Sequence, residues 1–301
     1  MVSRNSTSSA DLIGLLAYSS LKPMMYKEYK YRELVRKYYA ELGVREWRRL
    51  VRDPYHKLEY DTTMHFLTSY LPRGGLILDA GGGPGRYTIE LAKLGYELVL
   101  LDLTPKMLKI AKRQVKRSEV SNNIVGIIEG CVDLSMFRDG SFDAVICLGG
   151  TLSHIVDKKF REMAIEELVR VAKRGSPIFI SVIGRLGALI NELVNFPEEI
   201  AIKEVFQSIR DTGNYYGGYG FAPCHLYLPE ELEEELKRRG VNILKVVGLE
   251  GLASHHRKEV NRLFRKYPKA WEVWWETHLK TCTHPSSVGI SEHFLVICRK
   301  P

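Results

Sequence analysis

Asp79, Gly81, Gly82, Gly83 and Gly85 are crowded into a single turn, and a second acid, Asp102, lies about 20 residues past the first of these glycines. Glycine at that density lets a backbone turn tightly and approach a ligand, because no Cβ bars positive φ. A carboxylate ending the next strand offers two acceptor oxygens, enough for both hydroxyls of a ribose. A helix that opens directly after the turn adds unpaired N–H groups. These are the parts of a nucleotide-binding device. Spacing separates two kinds of ligand. A dinucleotide fingerprint, G-x-G-x-x-G, needs a glycine at 86, where the chain has Arg86; the pattern present is Asp79-x-Gly81-x-Gly83-x-Gly85.

Further candidates lie downstream and upstream. Leu148-Gly149-Gly150-Thr151-Leu152-Ser153-His154 follows a later apolar run. Ligands of an open α/β sheet bind beyond the carboxyl ends of its strands, so this loop is the expected floor under the reacting group. Ser153 is in reach of a substrate, and His154 is the candidate base or substrate-orienting group, with a loop-capping histidine as the structural alternative. His56 and Tyr60 lie on a helix that must end beside the turn, and Tyr216 and His225 lie in an aromatic, glycine-rich insertion; all four are candidate substrate contacts. Packed rings and an ordinary surface loop are the alternatives. The nine histidines are dispersed except for His255-His256, and no zinc-ligand spacing exists, so no metal is expected. No G-x-S-x-G supports a hydrolase of that type.

The elements that must position these groups can be read from periodicity. Leu76-Ile77-Leu78 is a short apolar run, as expected of a strand buried on both faces, and Tyr87 to Leu94 reads as the helix after the turn, stopped at Gly95. Further strands are expected at Glu97–Leu101, Asn123–Glu129, Ala144–Leu148, Pro177–Ile183, Val241–Leu249 and His293–Cys298. Helices are expected at Lys106–Arg117, capped by Thr104-Pro105, and at Phe160–Lys173 and Pro229–Arg239. Upstream, residues 10 to 72 read as mostly helical, with aromatic and charged residues mixed from Tyr26 to Leu42 and an N-cap at Asp53-Pro54. Alternating strands and helices from 76 to 183 predict a doubly wound α/β sheet.

The spacing of the turn resembles motif I of the class I S-adenosylmethionine-dependent methyltransferases, and L-D-L-T-P-K-M-L around Asp102 resembles the second motif of that family. The resemblance covers about residues 70 to 184 well and 229 to 299 in outline. It implies a seven-stranded, mostly parallel sheet of the Rossmann-like methyltransferase kind, whose last strand is antiparallel and slots beside the fifth and sixth. It implies S-adenosylmethionine as cofactor, with Asp79 near its amino-acid end, Asp102 on the ribose, and Leu103 and Met107 along the adenosine. Gly130-Cys131-Val132-Asp133-Leu134 falls where the family has a segment beside the adenine, but Cys131 stands where an acid is common; the adenine contact then falls to Asp133 or to a backbone carbonyl, with a helix N-cap as the structural alternative for Asp133. Leu148 and Gly149 complete the implied cofactor set. The expected organisation is a helical extension or lid over residues 1–70 and a methyltransferase domain over 71–301, with insertions at about 185–228 and 250–284.

Composition limits the rest. The chain has 301 residues, 45% hydrophobic content and a net charge of +8. That balance permits nucleic acid as a partner without demanding it. Five cysteines, at 131, 147, 224, 282 and 298, form no C-x-x-C and are odd in number, which points to a reducing cytoplasm. No apolar stretch approaches the ~20 residues of a membrane span, and Leu12 to Tyr18 is too short for a signal peptide. The expected activity is methyl transfer to a small molecule in a lidded pocket. RNA is the alternative acceptor, on the strength of basic runs at Arg45–Lys57 and Arg257–Lys269. The second alternative is a non-enzymatic S-adenosylmethionine-binding protein. Trp271 to Trp275 reads as an exposed segment that could serve as an interface.

Overall fold

The computed structural model describes residues 9–131 and 133–301, with side chains from Met25 onward. Seven strands make one sheet: β1 Leu76–Ala80, β2 Glu97–Asp102, β3 Ile124–Glu129, β4 Ala144–Cys147, β5 Pro177–Ile183, β6 Asn242–Gly248 and β7 His293–Arg299. Their spatial order is β3-β2-β1-β4-β5-β7-β6. β1 to β5 pair in parallel, while β7 runs antiparallel to both β5 and β6. This is the doubly wound topology expected from the alternation of strands and helices. The order reverses at β1 and β4, so their carboxyl ends open a crevice.

Side-chain alternation divides the core into two layers. From β1, Leu78 and Ala80 face one layer with Ala164, Ile165 and Leu168 of a helix at Lys158–Val171. Ile77 faces the other, with Phe66, Leu67, Ile89 and Leu91. Burial on both faces explains why β1 reads as an unbroken apolar run.

Three helices precede β1: α1 Ser9–Leu42, α2 Val44–Arg49 and α3 Pro54–Tyr70. Asp53 caps α3 as expected, its side chain accepting the His56 N–H at 3.1 Å. α4, Arg86–Lys93, follows the Gly-rich turn, and α5, Pro105–Arg117, follows β2. Thr104 stands at the N-cap of α5 but makes no side-chain cap; its hydroxyl turns to Asp102 instead. The first insertion folds as helices Arg185–Asn195, Pro197–Ile200 and Lys203–Thr212 and a small hairpin, Asn214–Tyr215 with Cys224–His225. The second contains helices Arg257–Lys266 and Pro268–Thr281. Its tryptophans do not form an exposed patch: Trp271, Trp274 and Trp275 pack around Tyr55, Leu58 and Val260, gathering the insertion onto α3. None of the described helices is long and apolar enough to cross a membrane.

Candidate functional site

The Gly-rich turn joins β1 to α4, and its geometry explains each glycine separately. Gly81 has φ +81°, and a Cβ there would lie 2.2 Å from Thr151 Cγ2. A Cβ on Gly82 would come within 2.4 Å of Asp79 Oδ2. At Gly83, by contrast, the nearest atom to a Cβ would be Asp102 Oδ2 at 3.9 Å, so that position faces open space. Gly85 is the N-cap of α4 with φ +83°.

The N–H groups of this turn are spent inside the protein. Gly81 and Gly82 donate to the Leu101 carbonyl at 2.7 and 3.1 Å, Gly85 donates to the Gly82 carbonyl at 2.9 Å, and Gly83 donates to Asp102 Oδ2 at 2.9 Å. The turn is therefore not the cradle of free N–H donors that a phosphate needs. It brings β1 and β2 together and leaves Gly83 beside a cavity.

That cavity, about 120 Å³, is lined by Asp79, Gly81, Gly82, Gly83, Asp102, Leu103, Met107, Gly130, Cys131, Leu148, Gly149 and His154. Val132 lies outside the described residues. Asp133 is not among the residues that line the cavity: its carboxylate accepts the Ser135 N–H at 3.2 Å in an exposed turn. Asp79 Oδ2 accepts the Thr88 hydroxyl at 2.5 Å, while Oδ1 is buried with no hydrogen-bond partner among the described residues. Burial pushes the Asp79 carboxyl up to about 7 and that of Asp102 up to about 6, the latter against hydrogen bonds from the Thr104 and Gly83 N–H groups. An unanswered buried carboxylate oxygen is costly and calls for a donor from whatever fills the cavity.

The upstream helices, expected from the sequence as an extension or lid, build the far wall with residues that sequence reading did not single out as lining: Arg32, Val35 and Tyr39 from α1, Glu46 and Arg49 from α2, and Leu50. Charge mixed with aromatic residues was the available signal, but it could not show which face turned inward. Arg49 is clamped between Glu46, at 2.9 Å, and Glu59, at 2.6 Å.

A second chamber, about 370 Å³, adjoins the first; Tyr39, Glu46, Arg49 and Gly149 line both. His56, Glu59, Glu250, Glu292, His293 and Phe221 also line it. An apolar recess of about 610 Å³ continues from there beneath the first insertion, with Tyr215, Tyr219, Phe206 and Leu226 in its walls. The aromatic loop folds over α1, bringing Phe221 against Tyr38 and the His154 ring, with centroids 5.4 and 5.7 Å apart.

His154 borders the first cavity and is held from both sides. Nδ1 lies 2.9 Å from the Pro223 carbonyl, and Nε2 lies 2.8 Å from the Tyr39 hydroxyl. A carbonyl only accepts, so Nδ1 carries the proton and neutral Nε2 accepts from Tyr39. Burial lowers the imidazole pKa, keeping the ring neutral.

Several expected substrate contacts are placed elsewhere. Ser153 is fully buried and accepts the Ile183 N–H at 3.0 Å, bracing the loop after β4 against β5. His225 is buried between Asn214 and Glu231, both at 2.8 Å, and pins the hairpin to the helix Pro229–Lys237. Tyr60 stacks on Tyr87, with centroids 5.8 Å apart, and lines none of the three cavities. Tyr216 is exposed and packs against Tyr31, whereas Tyr219 and Phe221 of the same loop face the recess. Of the upstream candidates, only His56 reaches a chamber.

Residues 77–175 match a family model described as a methyltransferase domain. A ubiquinone biosynthesis O-methyltransferase of Xanthomonas oryzae pv. oryzae is 31% identical over 128 residues, 42% of this chain and 51% of that protein. The chain thus spans about half the length of the curated relatives it matches. A methyltransferase from Methanosarcina mazei superposes with a TM-score of 0.54 at 19% identity, over 78% of this chain and 96% of that one. A putative S-adenosylmethionine-dependent methyltransferase from Listeria monocytogenes gives 0.55 at 14%, over 81% and 99%. At those identities the likeness concerns the fold. Residues 77–175 are thus similar in sequence to methyltransferase domains, and the solved neighbours share the fold of the chain.

Proposed function

We propose that the chain methylates a small molecule, with S-adenosylmethionine in the first cavity and the acceptor in the second. The observation that carries this reading is the shared wall: Gly149 and Tyr39 border both spaces. The donors and acceptors fit the cofactor. Asp102, which accepts the Gly83 and Thr104 N–H groups and the Thr104 hydroxyl, keeps about one lone-pair site for a ribose hydroxyl, and Asp79 Oδ1 awaits a donor from the amino-acid end. Leu103 and Met107 offer an apolar face to the adenosine. When bound, the sulfonium supplies an activated methyl group, so the protein's contribution is chiefly positioning.

The remaining residues act on the acceptor. Tyr39 lines the chamber and donates its hydroxyl proton to His154, so an acceptor hydroxyl that reaches the phenol oxygen can donate to Tyr39 in turn. A proton released there can pass to His154 through Tyr39. The name of the Xanthomonas relative supports a small acceptor attacked through oxygen. The enclosed recess under the aromatic loop supports the same size class.

RNA is the second reading, favoured by one contact. Arg257 binds Asp53 at 2.6 Å, which joins the two basic runs beside the chamber. Incubation of purified protein with tritiated methyl donor and cell extract separates the readings. Label in small molecules is expected, label in RNA would reverse the order, and label in neither fraction would refute both.

A further inference from the structure

We propose that His293 anchors the acceptor by presenting an N–H to the 370 Å³ chamber, where it takes an anionic oxygen, a carboxylate or an ionised phenol. The inference deepens the methyltransferase reading and rests on it for the neighbouring cofactor site.

Topology places this residue. β7 is antiparallel, so its first residue, His293, pairs with Ile183, the last residue of β5. It therefore sits at the carboxyl edge of the parallel strands, where ligands bind. Glu250, shortly after β6, meets it there, and Glu59 approaches from α3.

The hydrogen bonds fix the orientation of the ring. His293 Nδ1 lies 2.9 Å from Glu250 Oε1, while the His293 N–H and the Ser291 hydroxyl donate to Glu250 Oε2 at 2.9 and 3.0 Å. A carboxylate only accepts, so Nδ1 carries a proton. Nε2 has no protein partner among the described residues and is not among the buried unpaired atoms, so it opens on the chamber that His293 lines. Burial opposes charge on the ring, but Glu59 and Glu250 outweigh it and push the pKa up to about 9. Nε2 is then a charged donor at neutral pH.

The rest of the wall favours an anion. Arg49 takes up both Glu46 and Glu59. Glu292 accepts from the Tyr55 hydroxyl and the His255 N–H. Arg45 and Arg52 border the same space. The carboxylates are answered within the protein, and donors remain. Glu59, Glu250 and His293 could also gather around a divalent cation, their ligand atoms lying within 4.8 Å of one another. Arg49 and the proton on His293 already occupy those positions.

The test pairs two probes that differ in charge, benzoate and benzamide, titrated calorimetrically into protein saturated with S-adenosylhomocysteine. Benzoate should bind at least tenfold more tightly than benzamide. His293→Gln, which keeps a donor but no charge, should weaken benzoate at least tenfold and leave benzamide and S-adenosylhomocysteine unchanged. Native protein gives a measurement independent of the variant's folding: benzoate should shift the Nε2 resonance of His293 in ¹⁵N-histidine spectra. Equal affinity for the two probes, an unmoved resonance, or stoichiometric Mn²⁺ binding that displaces benzoate would each overturn the proposal. Failure to bind S-adenosylhomocysteine while benzoate still moves His293 would sink the methyltransferase reading and leave the anion site standing.

Discussion

Replacing Asp102 with asparagine should weaken cofactor binding by a calculable amount. Asp102 Oδ2 accepts the Gly83 N–H at 2.9 Å and Oδ1 accepts the Thr104 N–H at 2.7 Å. The Thr104 hydroxyl takes up a third site of the carboxylate's roughly four lone-pair sites, so about one remains for a ribose hydroxyl. In asparagine one oxygen becomes an NH₂, which faces a backbone N–H that it cannot accept and offers no acceptor to one hydroxyl. Losing one hydrogen bond to a charged group costs about 1.5–3 kcal/mol, or roughly 10- to 150-fold in affinity. Calorimetry with S-adenosylhomocysteine reads this loss, and urea unfolding without ligand reads the separate cost to the turn. The native protein should also lose affinity as pH falls through about 7 and then about 6, where Asp79 and then Asp102 take up a proton. In the variant only the Asp79 portion of that fall, centred near 7, should persist. Unchanged affinity in a variant that unfolds like the native chain would reduce Asp102 to a brace for the turn and refute the ribose assignment.

Three further outcomes are expected. Gly81→Ala should strongly destabilise the fold, because its Cβ would collide with Thr151; Gly83→Ala should cost only about 1–2 kcal/mol of stability for its positive φ while sharply reducing cofactor affinity. Similar unfolding midpoints for the two variants would contradict that division. Tyr39→Phe should reduce turnover more than cofactor affinity, and His154→Ala should do the same if the pair relays a proton; full activity in both would leave them structural. The raised pKa of His293 should contribute stability that is fully present below its ordinary 6.5 and is lost as pH rises through about 9. Urea midpoints of the native chain and His293→Gln should therefore converge above that pH, and a constant gap would argue against the Glu59–Glu250 pairing.

The chemistry visible in the sequence was the chemistry of neighbours in the chain. Asp79, the glycines and Asp102 belong to one strand-turn-helix-strand unit, so their spacing largely determines their geometry, and the apolar run Leu76–Leu78 marks the strand that carries them. The parallel part of the sheet was legible because alternation of elements constrains topology, whereas the antiparallel final strand was expected only from the family resemblance. Residues whose role depends on the direction of a side chain were not legible. Ser153, His225 and Tyr60 have the right types for a substrate site, yet each satisfies its polar or aromatic needs within the protein. Tertiary packing alone brought Arg49, Glu59, Glu250 and His293 to one chamber, from positions spread across the chain. No local pattern encodes such a meeting. It follows from how α2 and α3 fold over the sheet edge and from the reversal of β7, and the buried charges hold one another there because none can be left unpaired.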